Sequence, residues 1–132
     1  MFIQNIIEGK PLELHGDGLQ TRTFTYVDDT VQGIMKSIFH ENANNDVFNI
    51  ANEPTEEVTI KALAELIVDL MKDRYKAVEI KCIPYSTFGK YEDVARRVPD
   101  ITKIKEKLGY IPKFTLRDGL KLAIDWQIAR NK

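Results

Sequence analysis

Gly16-Asp17-Gly18-Leu19-Gln20-Thr21-Arg22-Thr23-Phe24-Thr25-Tyr26-Val27-Asp28-Asp29 is the stretch on which the reading of this chain turns. Two glycines around an aspartate signal a turn, because glycine reaches left-handed backbone without steric cost and aspartate bonds its own backbone. Residues 21–27 are rich in β-branched and aromatic side chains, which favours an extended segment. Asp28 or Asp29 can then cap a helix. Its apolar positions Val31, Ile34, Met35, Ile38 and Phe39 recur at helical spacing on one face. Turn, strand and amphipathic helix in succession already indicate mixed α and β structure.

Toward the N-terminus, Leu12 and Leu14 alternate with Glu13 and His15, the pattern of a short strand. Phe2, Ile3, Ile6 and Ile7 predict a helix that starts with the chain, has no capping residue and stops at Gly9 and Pro11. Toward the C-terminus, a polar loop over 42–46 precedes an expected strand, Val47-Phe48-Asn49-Ile50, closed by a turn at Asn52-Glu53-Pro54. Thr59 is an N-cap for a helix carrying Ile60, Leu63, Ala64, Ile67, Leu70 and Met71. Val78, Ile80 and Cys82 alternate as a strand ending near Pro84, and Cys82 is expected in a strand or the core. Residues 86–98 show no period and read as a long loop. Asp100 can cap a helix with Ile101, Ile104 and Leu108, ended by Gly109. Thr115 and Asp118 form a capping-box variant for a last helix with the stripe Leu116, Leu120, Ala123, Ile124 and Ile128. The expected fold class is α/β (α+β-like): a small, helix-rich domain over 1–132 with about five helices and four short strands.

The 132 residues are enough for one domain with a real core, burying roughly two-thirds of the unfolded chain's surface. They are too few for a cofactor domain plus a separate substrate domain. With 43% apolar and 30% charged residues, disorder and low complexity are excluded. A net charge of −1 gives no general attraction to nucleic acid or membranes. A single cysteine cannot form an internal disulfide, and no run reaches the ~20 apolar residues of a membrane helix. The N-terminus lacks a basic leader and a long apolar run, so a cytoplasmic protein is expected.

The seven glycines build no G-x-G-x-x-G or Walker loop. No Tyr-x-x-x-Lys pair, G-x-S-x-G elbow or metal-ligand spacing occurs, so no metal site is expected. Two arginine constellations remain: Arg22 just past the glycine turn, and Arg96-Arg97-Val98-Pro99-Asp100 at a helix start. Guanidinium forks on separate elements could clamp a diphosphate, since they match phosphate oxygens bidentately and keep their charge. On the residues alone, Arg22 also reads as a surface or salt-bridged arginine and Arg96-Arg97 as a solvated loop pair. Asp29 and Asp100 read as N-caps, Phe24 and Tyr26 as core, and Trp126 as core or interface.

The stretch 16–29 closely resembles a segment of the extended short-chain dehydrogenase/reductase family, the NAD-dependent nucleotide-sugar epimerases, dehydratases and decarboxylases. Gly9-Lys10-Pro11-Leu12, Phe48-Asn49-Ile50-Ala51 with Val58-Thr59-Ile60, Arg97-Val98-Pro99-Asp100, Leu108-Gly109-Tyr110-Ile111-Pro112 and Leu116-Arg117-Asp118-Gly119-Leu120 resemble further landmarks, in the family's order. The resemblance covers nearly the whole chain and implies the family's C-terminal, substrate-binding part, with the NAD-binding Rossmann domain and the catalytic residues lying elsewhere.

By resemblance, Arg22 and Arg97 bind the diphosphate of a UDP- or dTDP-sugar and Asp100 contacts the nucleoside while capping its helix. The stretch Leu12-Glu13-Leu14 runs beside the base. Tyr26 packs the Arg22 segment and Asp29 caps its helix. NAD belongs to the parent enzyme, and no cofactor is expected in this chain. The same resemblance implies a face toward the NAD-binding domain that could drive self-association when bare. A stand-alone nucleotide-binding or protein-interaction module without catalysis is the alternative from another class, and a ligand-free remnant is a third.

Overall fold

The structure, a computed structural model, describes residues 1–88 and 93–131. In chain order the elements are α1 (Phe2–Ile7), β1 (Leu12–His15), β2 (Thr21–Arg22), α2 (Val27–Phe39), β3 (Val58–Thr59), α3 (Ile60–Met71), β4 (Ile80–Ile83), β5 (Arg96–Arg97), α4 (Thr102–Leu108) and α5 (Leu116–Arg130). Short 3₁₀ turns cover Glu41–Ala43, Pro54–Glu56 and Tyr85–Phe88. The mixture of helices and short strands is the one expected. The sequence shows no dividing linker, yet the residues sort into two compact units that interleave along the chain. The first comprises Met1–Arg22, Val58–Arg96 and Leu120–Lys132; the second comprises Thr23–Glu57 and Arg97–Gly119.

In the first unit, β1 and β4 pair in parallel from Leu12↔Ile80 to His15↔Ile83. Parallel partners need a long crossover, and α3 falls within it. Leu12 and Leu14 form the core with Ile6, Leu63, Ala64, Ile67, Met71 and Ile124. The helix α3 starts where expected, because the Thr59 hydroxyl accepts from the Ala62 N–H at 3.0 Å. At the glycine turn Gly16 and Gly18 take φ of 70° and 74°. Gly18 is doubly constrained, since a Cβ there would lie 2.8 Å from Leu14 Cδ1. β2 pairs antiparallel with β3, and on the other side the Thr21 N–H donates to Ala95 O at 2.8 Å. Cys82 lies in a strand, β4, as one of its two readings has it, and is exposed. Trp126 is exposed rather than core, with the Arg130 guanidinium 4.7 Å from its ring centroid.

The second unit has its own core of Ala51, Ile101, Ile104, Leu108 and Tyr110, joined by Ala43, Phe48 and Ile50. Tyr110 is buried and donates its phenol to Ala51 O at 3.0 Å; burial pushes that phenol up to about 12. Gly109 ends α4 in the left-handed conformation, as the sequence predicts. The last helix is capped at Thr115, whose hydroxyl accepts from the Asp118 N–H at 3.2 Å, while the Glu56 carboxylate takes the Leu116 N–H at 2.7 Å. Asp46 is clamped by Lys103, Lys107 and the Val47 N–H, which hold its carboxyl well below the usual range.

Three features of the second unit differ from expectation. The extended segment stops at Arg22, and Tyr26, not Asp28 or Asp29, occupies the N-cap of α2. Asp29 instead sits in the first turn, 1% exposed, and its carboxylate accepts from the N–H groups of Lys113 at 2.9 Å and Phe114 at 3.1 Å. Residues 47–50 form no ladder, because no strand pairs with them among the described residues. Phe48 and Ile50 still pack against the core while Val47 is exposed. The apolar stripe of α2 is real but uncovered: Val31, Ile34, Met35, Ile38 and Phe39 are 44% to 74% exposed.

Candidate functional site

The first unit builds a polar cluster around Arg22. β2 is held between β3 and the backbone at residue 95, which brings residues 71 positions apart into contact. The Arg22 guanidinium donates from Nη2 to Asp93 Oδ1 at 2.9 Å and from Nη1 to Thr21 O at 2.7 Å. Both side chains of the ion pair are sheltered, at 15% and 14% exposure. The other carboxylate oxygen, Asp93 Oδ2, accepts from the Tyr85 phenol at 2.9 Å, and Oδ1 also accepts the Val94 N–H at 2.8 Å. Arg22 is therefore the salt-bridged arginine that its residues alone suggest. Two of its five N–H donors are engaged by these bonds.

Beside this pair lies a cavity of about 220 Å³ lined by Asp17, Leu19, Gln20, Tyr85, Asp93 and Ala95. Its walls follow from the glycine turn. Asp17 Oδ1 accepts from the Leu19 N–H at 2.9 Å. The Tyr85 ring lies against Gly16, where a Cβ would come within 2.3 Å of Tyr85 Cε2. Gln20 is buried; its amide donates to His15 O at 3.1 Å, while its Oε1 has no partner among the described residues. The lining is rich in acceptors, and Arg22 is not part of it.

The other expected residues fall as follows. Leu12 and Leu14 are 0% and 1% exposed, with their side chains in the core, so a stretch running beside a base offers its backbone rather than these side chains. Their backbone is extended, and one edge of it is taken by β4. Arg97 and Asp100 belong to the second unit. Arg97 is exposed at the end of β5. Asp100 Oδ1 accepts from the Thr102 N–H at 2.8 Å, and this bond lowers its carboxyl below the usual range. Ile101, not Asp100, occupies the N-cap of α4; Asp100 stands one residue earlier and takes the first helical N–H. Tyr26 packs on Phe114, with ring centroids 4.6 Å apart, and lines the backbone at Gly119.

Asp93, Tyr85 and Gln20 were not singled out by sequence. Asp93 stands in an aperiodic stretch, and only the pairing of residue 21 with residue 95 brings it to Arg22. Of the loop expected over 86–98, residues 89–92 lie outside the described residues. Among the described residues, no group of three or more His, Cys, Asp or Glu could hold a metal, and no helix is long and apolar enough to cross a membrane.

The sequence pattern of the GDP-mannose 4,6 dehydratase family matches residues 1–123. The chain is 34% identical over 125 residues to the UDP-N-acetyl-alpha-D-glucosaminuronate decarboxylase of Bacillus cytotoxicus, covering 95% of this chain and 38% of that protein. It is 33% identical over 133 residues to the UDP-D-apiose/UDP-D-xylose synthase 1 of Arabidopsis thaliana, covering 96% and 34%. Among solved structures, it superposes on the UDP-glucose 4-epimerase of Thermotoga maritima with UDP-glucose at a TM-score of 0.84 and 30% identity, over 99% of this chain and 39% of that one. The dTDP-glucose 4,6-dehydratase of Bacillus anthracis, in complex with NAD, gives 0.82 at 25% identity, over 98% and 38%. The chain thus spans under two-fifths of the length of the relatives it matches.

Proposed function

Because the chain belongs to the GDP-mannose 4,6 dehydratase family, we propose that it is the substrate-recognising portion of an NAD-dependent nucleotide-sugar epimerase, dehydratase or decarboxylase. The observation that carries this reading is Arg22, a sheltered guanidinium beside a small cavity, at the position where the sequence resembles the family's diphosphate-binding segment. The relatives named for UDP- and dTDP-sugars support that ligand class. Arg22 and Arg97 donate to the diphosphate and Asp100 contacts the nucleoside; the roles of Arg97 and Asp100 rest on the resemblance. In the complete enzyme the sugar gives a hydride to NAD.

NAD does not fit the residues present. The only G-x-G spacing, Gly16 to Gly18, leads into β2 rather than a helix N-terminus, so its N–H groups make no dinucleotide cradle. We place the cofactor in a further domain of the protein and assign no redox step to this chain. What this chain does is bind and orient: a positioned substrate is where the remote binding energy of the nucleotide acts.

The test is calorimetric titration of the chain with UDP-, dTDP-, CDP- and GDP-sugars. Binding of a UDP- or dTDP-sugar is the expected result, and no binding to any of the four overturns the reading. The bare stripe of α2 supports contact with the cofactor-binding domain and predicts that the chain by itself self-associates. Sedimentation velocity checks this; a monodisperse monomer at high concentration would count against it.

A further inference from the structure

The geometry points to Asp93 as the residue that sets the affinity of Arg22 for phosphate: its carboxylate holds the guanidinium and competes for it with the phosphates of a nucleoside diphosphate. This rests on the assignment of Arg22 to the diphosphate. Asp93 lines the cavity and Arg22 does not, so the cation faces the carboxylate rather than the ligand space. A phosphate arriving at Arg22 brings the same chemistry that Asp93 already supplies, an oxyanion accepting from the guanidinium fork.

The exchange leaves no orphan. When Nη2 departs, Asp93 keeps the Tyr85 phenol on Oδ2 and the Val94 N–H on Oδ1. Arg22 keeps its anchor on Thr21 O. Each partner of the ion pair therefore has other hydrogen bonds that persist after it opens, which a pair built only for stability does not need. The carboxylate remains close to the incoming phosphate, and like charges at that range oppose binding. Asp93 thus acts through Arg22 as a positioning residue that tempers anion affinity.

The experiment titrates the chain with UDP and, separately, with uridine, which has no phosphate. Asp93→Asn keeps the shape but removes the charge. We expect it to bind UDP about tenfold tighter, the scale of one charged hydrogen bond, and to bind uridine unchanged. Its thermal midpoint falls at the same time, because the native ion pair is lost. A merely structural role lowers stability without tightening UDP. Tyr85→Phe removes the phenol O–H that Asp93 accepts, so the carboxylate holds Arg22 more strongly and this variant binds UDP more weakly. Arg22→Ala separates the two levels of the argument. If it weakens UDP while Asp93→Asn binds UDP no tighter than the native chain, the exchange is overturned and the Arg22 assignment stands. If Arg22→Ala binds UDP normally, both fall, and both fall if neither the native chain nor Asp93→Asn binds UDP.

Discussion

Replacing Arg22 with alanine in the complete enzyme is expected to weaken nucleotide-sugar binding by about 1.5–3 kcal/mol, the range of a hydrogen bond to a charged group. Two effects occur together in this variant. Loss of the guanidinium removes a cation from the diphosphate. It also strips a partner from Asp93, a sheltered carboxylate. The second effect is blunted because Tyr85 and Val94 continue to donate to that carboxylate. Affinity therefore falls more than stability does. Competition calorimetry with UDP-sugar measures the first and thermal unfolding the second. Unchanged affinity would remove Arg22 from the substrate site.

The largest stability loss is expected at Asp29. Its carboxylate is almost fully buried and receives two backbone N–H groups, from Lys113 and Phe114. Asp29→Asn turns one acceptor into a donor that faces an N–H. One bond is lost and a buried N–H is left unsatisfied, costing about 2–4 kcal/mol. The change also removes a negative charge from the first turn of α2, where the helix dipole favours it. Against a total stability of roughly 5–15 kcal/mol, that is a large fraction. The shift in denaturant midpoint checks it, and a midpoint within error of the native chain would show that the segment at 113–114 is held by other contacts.

The sequence made local structure legible wherever a local rule fixes it. The caps at Thr59 and Thr115, the αL glycine at 109 and the helical stripes of α3 and α5 all follow from neighbours within four residues. What stayed hidden depends on distant partners. The helical period of α2 says that one face is apolar, but not that it is uncovered. Residues 47–50 have strand composition, yet a strand exists only when another pairs with it. Asp29 looks like a cap because capping is local, whereas its true partners lie more than 80 positions away. At the candidate site the turn and Arg22 could be read directly. The alternation of Leu12 and Leu14 marks a strand, which forms, without saying that their shared face is core. Asp93 was missed because nothing in its own surroundings points to residue 22.

The interleaving of the two units bears on how such a chain can be made or divided. The chain passes between units after residues 22, 57, 96 and 119. No single cut yields either unit whole. During synthesis, the second unit has all its residues once Gly119 has emerged, while the first still waits for the segment beginning at Leu120. The unit that holds the earliest residues is thus the later of the two to have all its segments, and β1 must remain without β4 for more than sixty residues of growth.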